Sequence, residues 1–286
     1  MPIALLPDRA IVMVTGEPAT EFLQGILTCN VETLPEGEAR LGALLTPQGK
    51  IQFDFLISRA APDAYRIDVT AERAPDLVKR LTLYKLRAKV TIAADPTLGV
   101  AAAWDGAETS AETVRVRDGR LPGLGDRLYF TEGAFSADAT EQEYHAHRIA
   151  LGVPEGGRDF AFADAFPHEA LMDQLGGVDF RKGCYVGQEV VSRMQHRGTA
   201  RTRIVPLVFE EGQTPEPGSD VTAGAKTLGQ IGSTAGNRGL ATIRLDRLGD
   251  ALAAGEPVRV GGRIAGIEKP AFATFAFPAD TAAAAG

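Results

Sequence analysis

The sequence predicts an α+β protein of more than one domain that ends in a domain of strands. Three observations lead there. At 286 residues the chain reaches the size at which a single hydrophobic core stops growing and chains divide. Its first half contains the order strand–strand–helix–strand–strand, the pattern of a small α+β unit inserted into the chain. After Gly198 the character changes to short apolar runs split by Gly- and Pro-rich turns, as in a sandwich or a closed barrel.

In chain order, Ile11-Val12-Met13-Val14 reads as a short strand, and Pro18 suits the first turn of a helix whose one face carries Ala19, Phe22, Leu23, Ile26 and Leu27. Cys29 follows that helix and is expected to pack at its end. Gly42 to Leu45 and Ile51 to Ile57 bracket the turn Pro47-Gln48-Gly49 as a strand–turn–strand unit. In its second strand Ile51, Phe53, Phe55 and Ile57 share one face, and Gln52, Asp54 and Ser58 the other. A carboxylate in mid-strand is disfavoured unless its face is solvated or lines a cavity, which singles out Asp54. Tyr65, Ile67 and Val69 alternate as a further strand. Leu77, Val78, Leu81 and Tyr84 recur at helical spacing between Ala74 and Leu86, with Pro75 near the start. Lys89 to Ile92 and Gly99 to Trp104 return to strand character. Asp105 to Thr113 reads as a loop, and Asp118-Gly119 as a hairpin turn between Val114-Arg115-Val116 and Leu121.

A helix is expected from near Asp138 through Tyr144, Arg148 and Ile149, stopping at Gly152. Its His145 and His147 lie two apart on different faces, a poor metal pair. Glu169 precedes a short apolar helix, Ala170-Leu171-Met172. Val190, Val191 and Met194 mark another helix, opening at Gly187. Ile204 to Phe209, Val221-Thr222, Gly239 to Leu245 and Pro257 to Val260 are short strands, and the Ala-rich tail from Ala279 reads as frayed.

Composition narrows the class. A net charge of -7 and a pI near 5.3 argue against broad, salt-driven nucleic-acid binding. Arg87 and Lys89 near Tyr84 form a small basic cluster, read here as solvated. The two cysteines, Cys29 and Cys184, cannot supply a three- or four-thiolate metal site, so no metal is expected, and they suggest no disulfide framework. The N-terminus lacks a basic stretch followed by a long apolar run, and no run of apolar residues is long enough to span a bilayer. These features together predict a cytoplasmic protein without membrane contact, with a monomer favoured.

The stretch from Phe180 to Arg193 carries the chemistry. It sets Cys184 among Arg181, Lys182 and Arg193, flanks it with Gly183 and Gly187, and leads into a helix start. Glycine admits φ > 0 and close approach of a ligand or another segment. A thiol near cations and a helix N-terminus ionises more easily than a free one, and that end of a helix suits an anionic or carboxylate-bearing ligand. A buried cysteine in a tight turn is the competing reading.

The run Lys182-Gly183-Cys184-Tyr185-Val186-Gly187-Gln188-Glu189 resembles the K-G-C-F/Y-x-G-Q-E motif of the YgfZ family. Those are folate-binding proteins related to the aminomethyltransferase (T-protein) of the glycine cleavage system. Phe22 to Thr28 resembles that family's early helix, Thr46-Pro47-Gln48-Gly49-Lys50 its T-P-x-G-K turn, and Leu228 to Thr234 a hairpin of the T-protein's C-terminal barrel. The resemblance implies an α+β three-domain ring around a central folate channel. Domain 1 would comprise residues 1–46 and 138–199, domain 2 would be inserted at 47–137, and a β-barrel would occupy 200–286.

The resemblance also implies tetrahydrofolate, or a derivative, as ligand. Glu169, in Pro167-His168-Glu169, lines up with the family's pterin-holding acid; a carboxylate can accept the amino group and the adjacent ring N–H of a pterin together. Asp54 lines up with the T-protein's acid near the reactive folate nitrogens, where it takes part in one-carbon transfer. Lys182 and Arg193 could pair with the folate's glutamate tail or with surface acids. Tyr185 could stack on the pterin or belong to the core, and Gln188 and Glu189 could buttress the Cys184 loop or touch ligand. The implied function is an accessory protein that supports iron–sulfur client enzymes, including tRNA-modifying ones, with Cys184 as a reactive thiol or holder of a transient ligand. The alternative is a one-carbon transferase using Asp54. A cysteine hydrolase would need His168 or His196 beside Cys184.

Overall fold

The structure, a computed structural model, describes residues 2–106, 113–131, 137–198, 200–210 and 214–278. Its internal contacts divide the chain into two units, Met1–Tyr144 with Leu175–Val190, and His145–Gln174 with Val191–Gly286.

The first unit is built on nine strands: β1 (Ile3–Leu5), β2 (Arg9–Thr15), β3 (Glu38–Leu45), β4 (Ile51–Ala61), β5 (Ala64–Thr70), β6 (Thr91–Asp95), β7 (Leu98–Ala103), β8 (Val114–Asp118) and β9 (Asp126–Thr131). They form one sheet in the order β1-β7-β9-β8-β3-β4-β5-β2-β6. Every neighbouring pair is antiparallel except β3 with β8. Helices α1 (Ala19–Gln24) and α2 (Ala74–Lys85) cover one face. Leu23 of α1 and Leu77 and Leu81 of α2 enter one core with Phe53, Phe55, Ile57, Tyr65, Ile67 and Val69, the alternating set expected for β4 and β5.

The opposite face is buried over part of its length. Ser58 and Asp68 are fully buried there. Asp68 accepts from Arg9 Nε at 2.7 Å, and Arg127 Nε lies 3.7 Å from both Asp68 and Asp118. Arg120 reaches Asp118 at 2.7 Å, and the Tyr144 hydroxyl accepts from Arg127 Nη2 at 2.6 Å and Arg120 Nη2 at 3.1 Å. Burial pushes the Asp118 carboxyl up, yet the attraction and hydrogen bonds of Arg120, with Arg127 behind, outweigh it and hold it below its ordinary value. This interior polar layer hid β9 from sequence reading, because the buried Arg127 breaks the apolar alternation.

Two other expectations change. Asp118-Gly119 does not make a two-residue hairpin: β8 and β9 pair with Arg117 opposite Asp126, across a 3₁₀ turn at Pro122–Leu124. Gly119 instead backs onto β3, donating its N–H to Ala39 O at 2.8 Å. The first helix ends at Gln24 rather than Leu27, and Leu27 bridges to Leu44 of β3. The loop expected over Asp105 to Thr113 lies mostly outside the described residues.

Helix α3 (Glu141–Ala150) opens on a capping box, in which Glu143 N–H donates to Thr140 Oγ1 and Thr140 N–H to Glu143 Oε2. Gly152 at φ 76° ends this segment as expected. The helix expected at Ala170-Leu171-Met172 is absent; these residues form successive turns, with Leu171 at φ 59°. Helix α4 (Gln188–Arg197) follows Gly187.

In the second unit β10 (Thr202–Phe209), β11 (Asp220–Ala223), β12 (Lys226–Ala235), β13 (Arg238–Arg244), β14 (Val258–Val260) and β15 (Arg263–Ile267) close into a barrel in the order β10-β13-β12-β11-β14-β15. Val205, Leu207, Val221, Leu228, Ile243 and Val260 fill it. Helix α5 (Leu245–Ala253) covers part of this core with Leu248 and Ala251. Sequence reading missed it because Gly249 sits mid-helix, where glycine is unfavourable. The α+β class with a C-terminal barrel stands. The tail from Ala279 lies outside the described residues, and no described helix is long and apolar enough to cross a membrane.

Candidate functional site

The residues that sequence reasoning selected fall in both units: a loop, the start of α4 and strand β4 in the first, and a loop and the rest of α4 in the second.

In the first unit the loop before α4 is anchored from within. Asp179 Oδ1 accepts the backbone N–H groups of Arg181 at 2.7 Å and Lys182 at 3.1 Å, and Oδ2 accepts from Asn30 Nδ2 at 3.1 Å. Partial burial raises the Asp179 carboxyl, but these donors outweigh it and hold it below the ordinary value. Lys182 is 8% exposed, and its ammonium turns inward. It donates to Leu27 O at 2.6 Å and Cys29 O at 2.8 Å and lies 5.5 Å from the Tyr185 ring centroid, a cation–π distance. Burial pulls this amine down to about 8 and pushes the neighbouring Cys29 thiol up to about 11. The motif lysine therefore ties its loop to the segment after α1 and does not reach out toward a ligand's carboxylates.

Tyr185 is buried beside it, and its hydroxyl has no hydrogen-bond partner among the described residues; burial raises its pKa. Gly187 has φ 79° and its carbonyl side packs on the turn between β3 and β4. Between these anchors Gly183 and Cys184 are exposed. A Cβ at Gly183 would meet nothing within 4 Å, and its φ is not in the left-handed region. Of the two cysteines, Cys29 is the inert, sealed one and Cys184 the accessible one. Gln188 and Glu189 open α4, Gln188 half-buried and Glu189 exposed. Asp54 is half-buried on β4, opposite Ala43 of β3 and on the face away from the apolar core.

In the second unit Glu169 lines a hollow of about 670 Å³ with Arg158, Asp164, Asp220, Gln230 and Thr242. Its Oε2 accepts Phe166 N–H at 2.8 Å. The barrel fixes its backbone: Ile204 N–H donates to Glu169 O at 3.0 Å, and Arg203 Nη1 donates to His168 O at 2.7 Å while meeting Asp173 at 2.6 Å. His168 is itself buried, with Nε2 3.0 Å from Gln195, and burial lowers its pKa. His196 and Arg193 are exposed on α4 in this unit.

The wall of the hollow depends on a pair that sequence reading missed. Asp159 Oδ2 accepts Arg148 Nη1 at 2.6 Å and Glu155 N–H at 2.9 Å, and its Oδ1 accepts Ser233 N–H at 2.8 Å. The loop comes so close to β12 that a Cβ at Gly232 would stand 2.8 Å from Asp159 Cα. Glycines in that strand were the one visible signal. Chemically, the first unit offers an accessible thiol on a braced loop, and the second an acid-rich hollow suited to a ligand presenting N–H donors.

Residues 10–101 match the GCVT N-terminal domain family, and residues 201–274 match the CAF17 C-terminal β-barrel domain family. The mitochondrial iron–sulfur cluster assembly factor IBA57 homolog of Pyricularia oryzae is 34% identical over 289 residues, an alignment of 88% of this chain with 74% of that protein. The chain belongs to the IBA57 family. Human IBA57 is 29% identical across 85% of the chain and 77% of its own length. The Neurospora crassa IBA57 homolog is 33% identical across 75% of the chain, which there spans 55% of the relative's length. In three dimensions the chain is similar to glycine cleavage system aminomethyltransferase T from Bartonella henselae, with a TM-score of 0.74 at 16% identity over 95% of this chain and 86% of that one. That likeness concerns the fold. The IBA57 relatives are mitochondrial proteins, which overturns the cytoplasmic expectation: an ordinary N-terminus and reduced cysteines suit more than one compartment.

Proposed function

We propose that this IBA57-family chain is a YgfZ-type, folate-binding accessory factor that supports assembly or repair of iron–sulfur enzymes, tRNA-modifying ones among them. The observation that carries the reading is the contrast within one loop. Lys182 is drawn inside onto two backbone carbonyls, while Cys184, two residues on, is held outward beside open space at Gly183. A thiol displayed in this way can meet a second protein or an iron–sulfur cargo, since a soft thiolate is the ligand such iron prefers. The names of the relatives, iron–sulfur cluster assembly factors, point the same way.

The folate part rests on the second unit. The residues there fit the pterin end of the ligand: a half-buried carboxylate, Glu169, faces a hollow of about 670 Å³, within the usual size of small-molecule sites. Glu169 would hold the paired N–H donors of the pterin, and Arg158, on the same wall and 3.5 Å from Glu155, would have to exchange part of that pairing to meet a glutamate tail. Lys182 is not assigned that task. Tetrahydrofolate, when bound, supplies a carrier for one-carbon units.

The test is a tetrahydrofolate titration of wild type, Cys184→Ala and Asp54→Ala, followed by heat or by the fluorescence of Trp104, together with activity of iron–sulfur enzymes in cells. Folate binding that survives Cys184→Ala while in-cell support is lost is the expected result. A measurable one-carbon transfer to a lipoyl carrier, abolished in Asp54→Ala, would replace this reading with the transferase. Unchanged client activity with Cys184→Ala would end the proposal.

A further inference from the structure

Helix α2 buries Ala74, Leu77 and Leu81 in the core of the first unit. Two other leucines at its C-terminal end do the opposite. Leu83 is 62% exposed and Leu86 is 86% exposed. Leu83 lies in the last turn of the helix, and Leu86 is the residue that ends it. Neither is needed to seat it.

Leu86 is also held in an unfavourable backbone conformation, φ 45° and ψ -103°, which bulky side chains rarely adopt. The turn around it is fixed. Ala88 N–H donates to Lys85 O at 2.7 Å and Val90 N–H to Ala88 O at 2.9 Å, while the Lys85 ammonium crosses the turn to Val90 O at 2.8 Å. Backbone strain that presents an apolar side chain to water is unfavourable twice over, and such outliers concentrate at recognition sites.

The surroundings state the chemistry of what is recognised. Leu83 lines a notch of about 190 Å³ with Phe53, Arg73, Asp76, Lys79 and Arg80. Asp76 is matched by Arg73 at 3.8 Å, and Lys79, Arg80 and Arg87, in no ion pair among the described residues, add positive charge in a chain whose net charge is -7. Arg73 is itself occupied, stacking 4.9 Å above the Phe53 ring. The result is a rigid apolar knob beside a cationic notch.

We propose that Leu83, with Lys79 and Arg80 in its notch, and Leu86, next to Arg87 in the chain, form a docking knob for a partner protein that presents an acidic rim around an apolar hollow. A concave notch next to a fixed turn suits a shaped protein surface rather than a bilayer, which favours a broad apolar face. The proposal is independent of the folate and Cys184 readings.

The test places the photo-crosslinker p-benzoylphenylalanine at position 83 in cells, identifies the adduct, and measures the purified partner against wild type, Leu86→Gly and the double change Arg80→Glu, Arg87→Glu. Glycine accepts positive φ, so Leu86→Gly removes the side chain without straining the fold, and urea midpoints check all variants. The expected result is a protein of net negative charge whose affinity falls roughly tenfold or more in both variants. Added salt should weaken wild type more than the double variant. No protein adduct, an adduct only with a second copy of this chain, equal affinity for all variants, or loss in the same variants of binding to phosphatidylserine vesicles instead of a protein, each overturns it.

Discussion

Gly187 lies directly against Gly49. A Cβ at position 187 would stand 3.0 Å from Gly49 Cα and 2.5 Å from Thr46 O, and a Cβ at position 49 would stand 3.0 Å from Val190 Cβ. Both residues have left-handed backbone, φ 79° and 81°. The motif loop and the turn between β3 and β4 therefore interlock backbone to backbone, and two sequence features separated by well over a hundred positions become one structural element.

Gly187→Ala should destabilise the chain by about 1–3 kcal/mol, from the positive φ alone, with more added where the Thr46 carbonyl must move. Gly183→Ala should stay within about 0.5 kcal/mol of wild type, because its Cβ meets open space. Urea unfolding of both checks this. Equal losses would mean that the two motif glycines do the same job. If a client approaches Cys184 closely, Gly183→Ala should still lower in-cell support.

Lys182→Met should cost about 1–3 kcal/mol, because the Leu27 and Cys29 carbonyls lose their donor. It should also change the pH profile. Burial lowers the Lys182 amine from 10.5 to about 8, so between those values the unfolded chain binds more protons and wild-type stability rises with pH. Cys29 acts oppositely. Raised from 9.0 to about 11, it contributes stability that is present below pH 9 and is lost as pH climbs through 11. From pH 8 to 9 the lysine acts alone of the two, and a rising stability there that is absent in Lys182→Met is the expected outcome.

Asp68→Ala should cost about 3–5 kcal/mol, because it takes the carboxylate from Arg9 and one of two carboxylates from Arg127 in the interior of the first unit. Lys226→Ala, which opens an exposed pair with Asp250 at 3.7 Å, should cost less than about 1 kcal/mol. Chemical denaturation that gives similar losses for both would show that the interior layer is wetter than its burial implies.

Glu169→Gln should weaken tetrahydrofolate about 10- to 100-fold, the worth of a charge-assisted hydrogen bond, and leave the fold intact, since glutamine can still accept Phe166 N–H. Calorimetric titration checks it. Unchanged affinity together with normal unfolding would remove Glu169 from the ligand's surroundings.

Much of the fold could be read from the chain. The apolar alternation of β4 and β5 and the helical spacing in α2 and α4 are local, periodic signals that survive into the structure because one face of each element is buried. The turn signals around the barrel strands behave likewise. The eight-residue motif singled out the loop that carries Cys184, and the aminomethyltransferase-type fold that its resemblance implied is the fold observed.

What the chain alone could not decide is which way each polar side chain turns. Lys182, Asp68, Arg127, Arg148 and Asp159 all look like surface charges in sequence, and all are buried. Their partners come from segments distant in the chain, as with Lys182 and Leu27 or Asp159 and Ser233. Hydrophobic periodicity reports the solvent preference of one element, whereas a buried charge is stabilised only by groups that another element brings to it. The outward Cys184 beside the inward Lys182 is decided by tertiary packing for that reason.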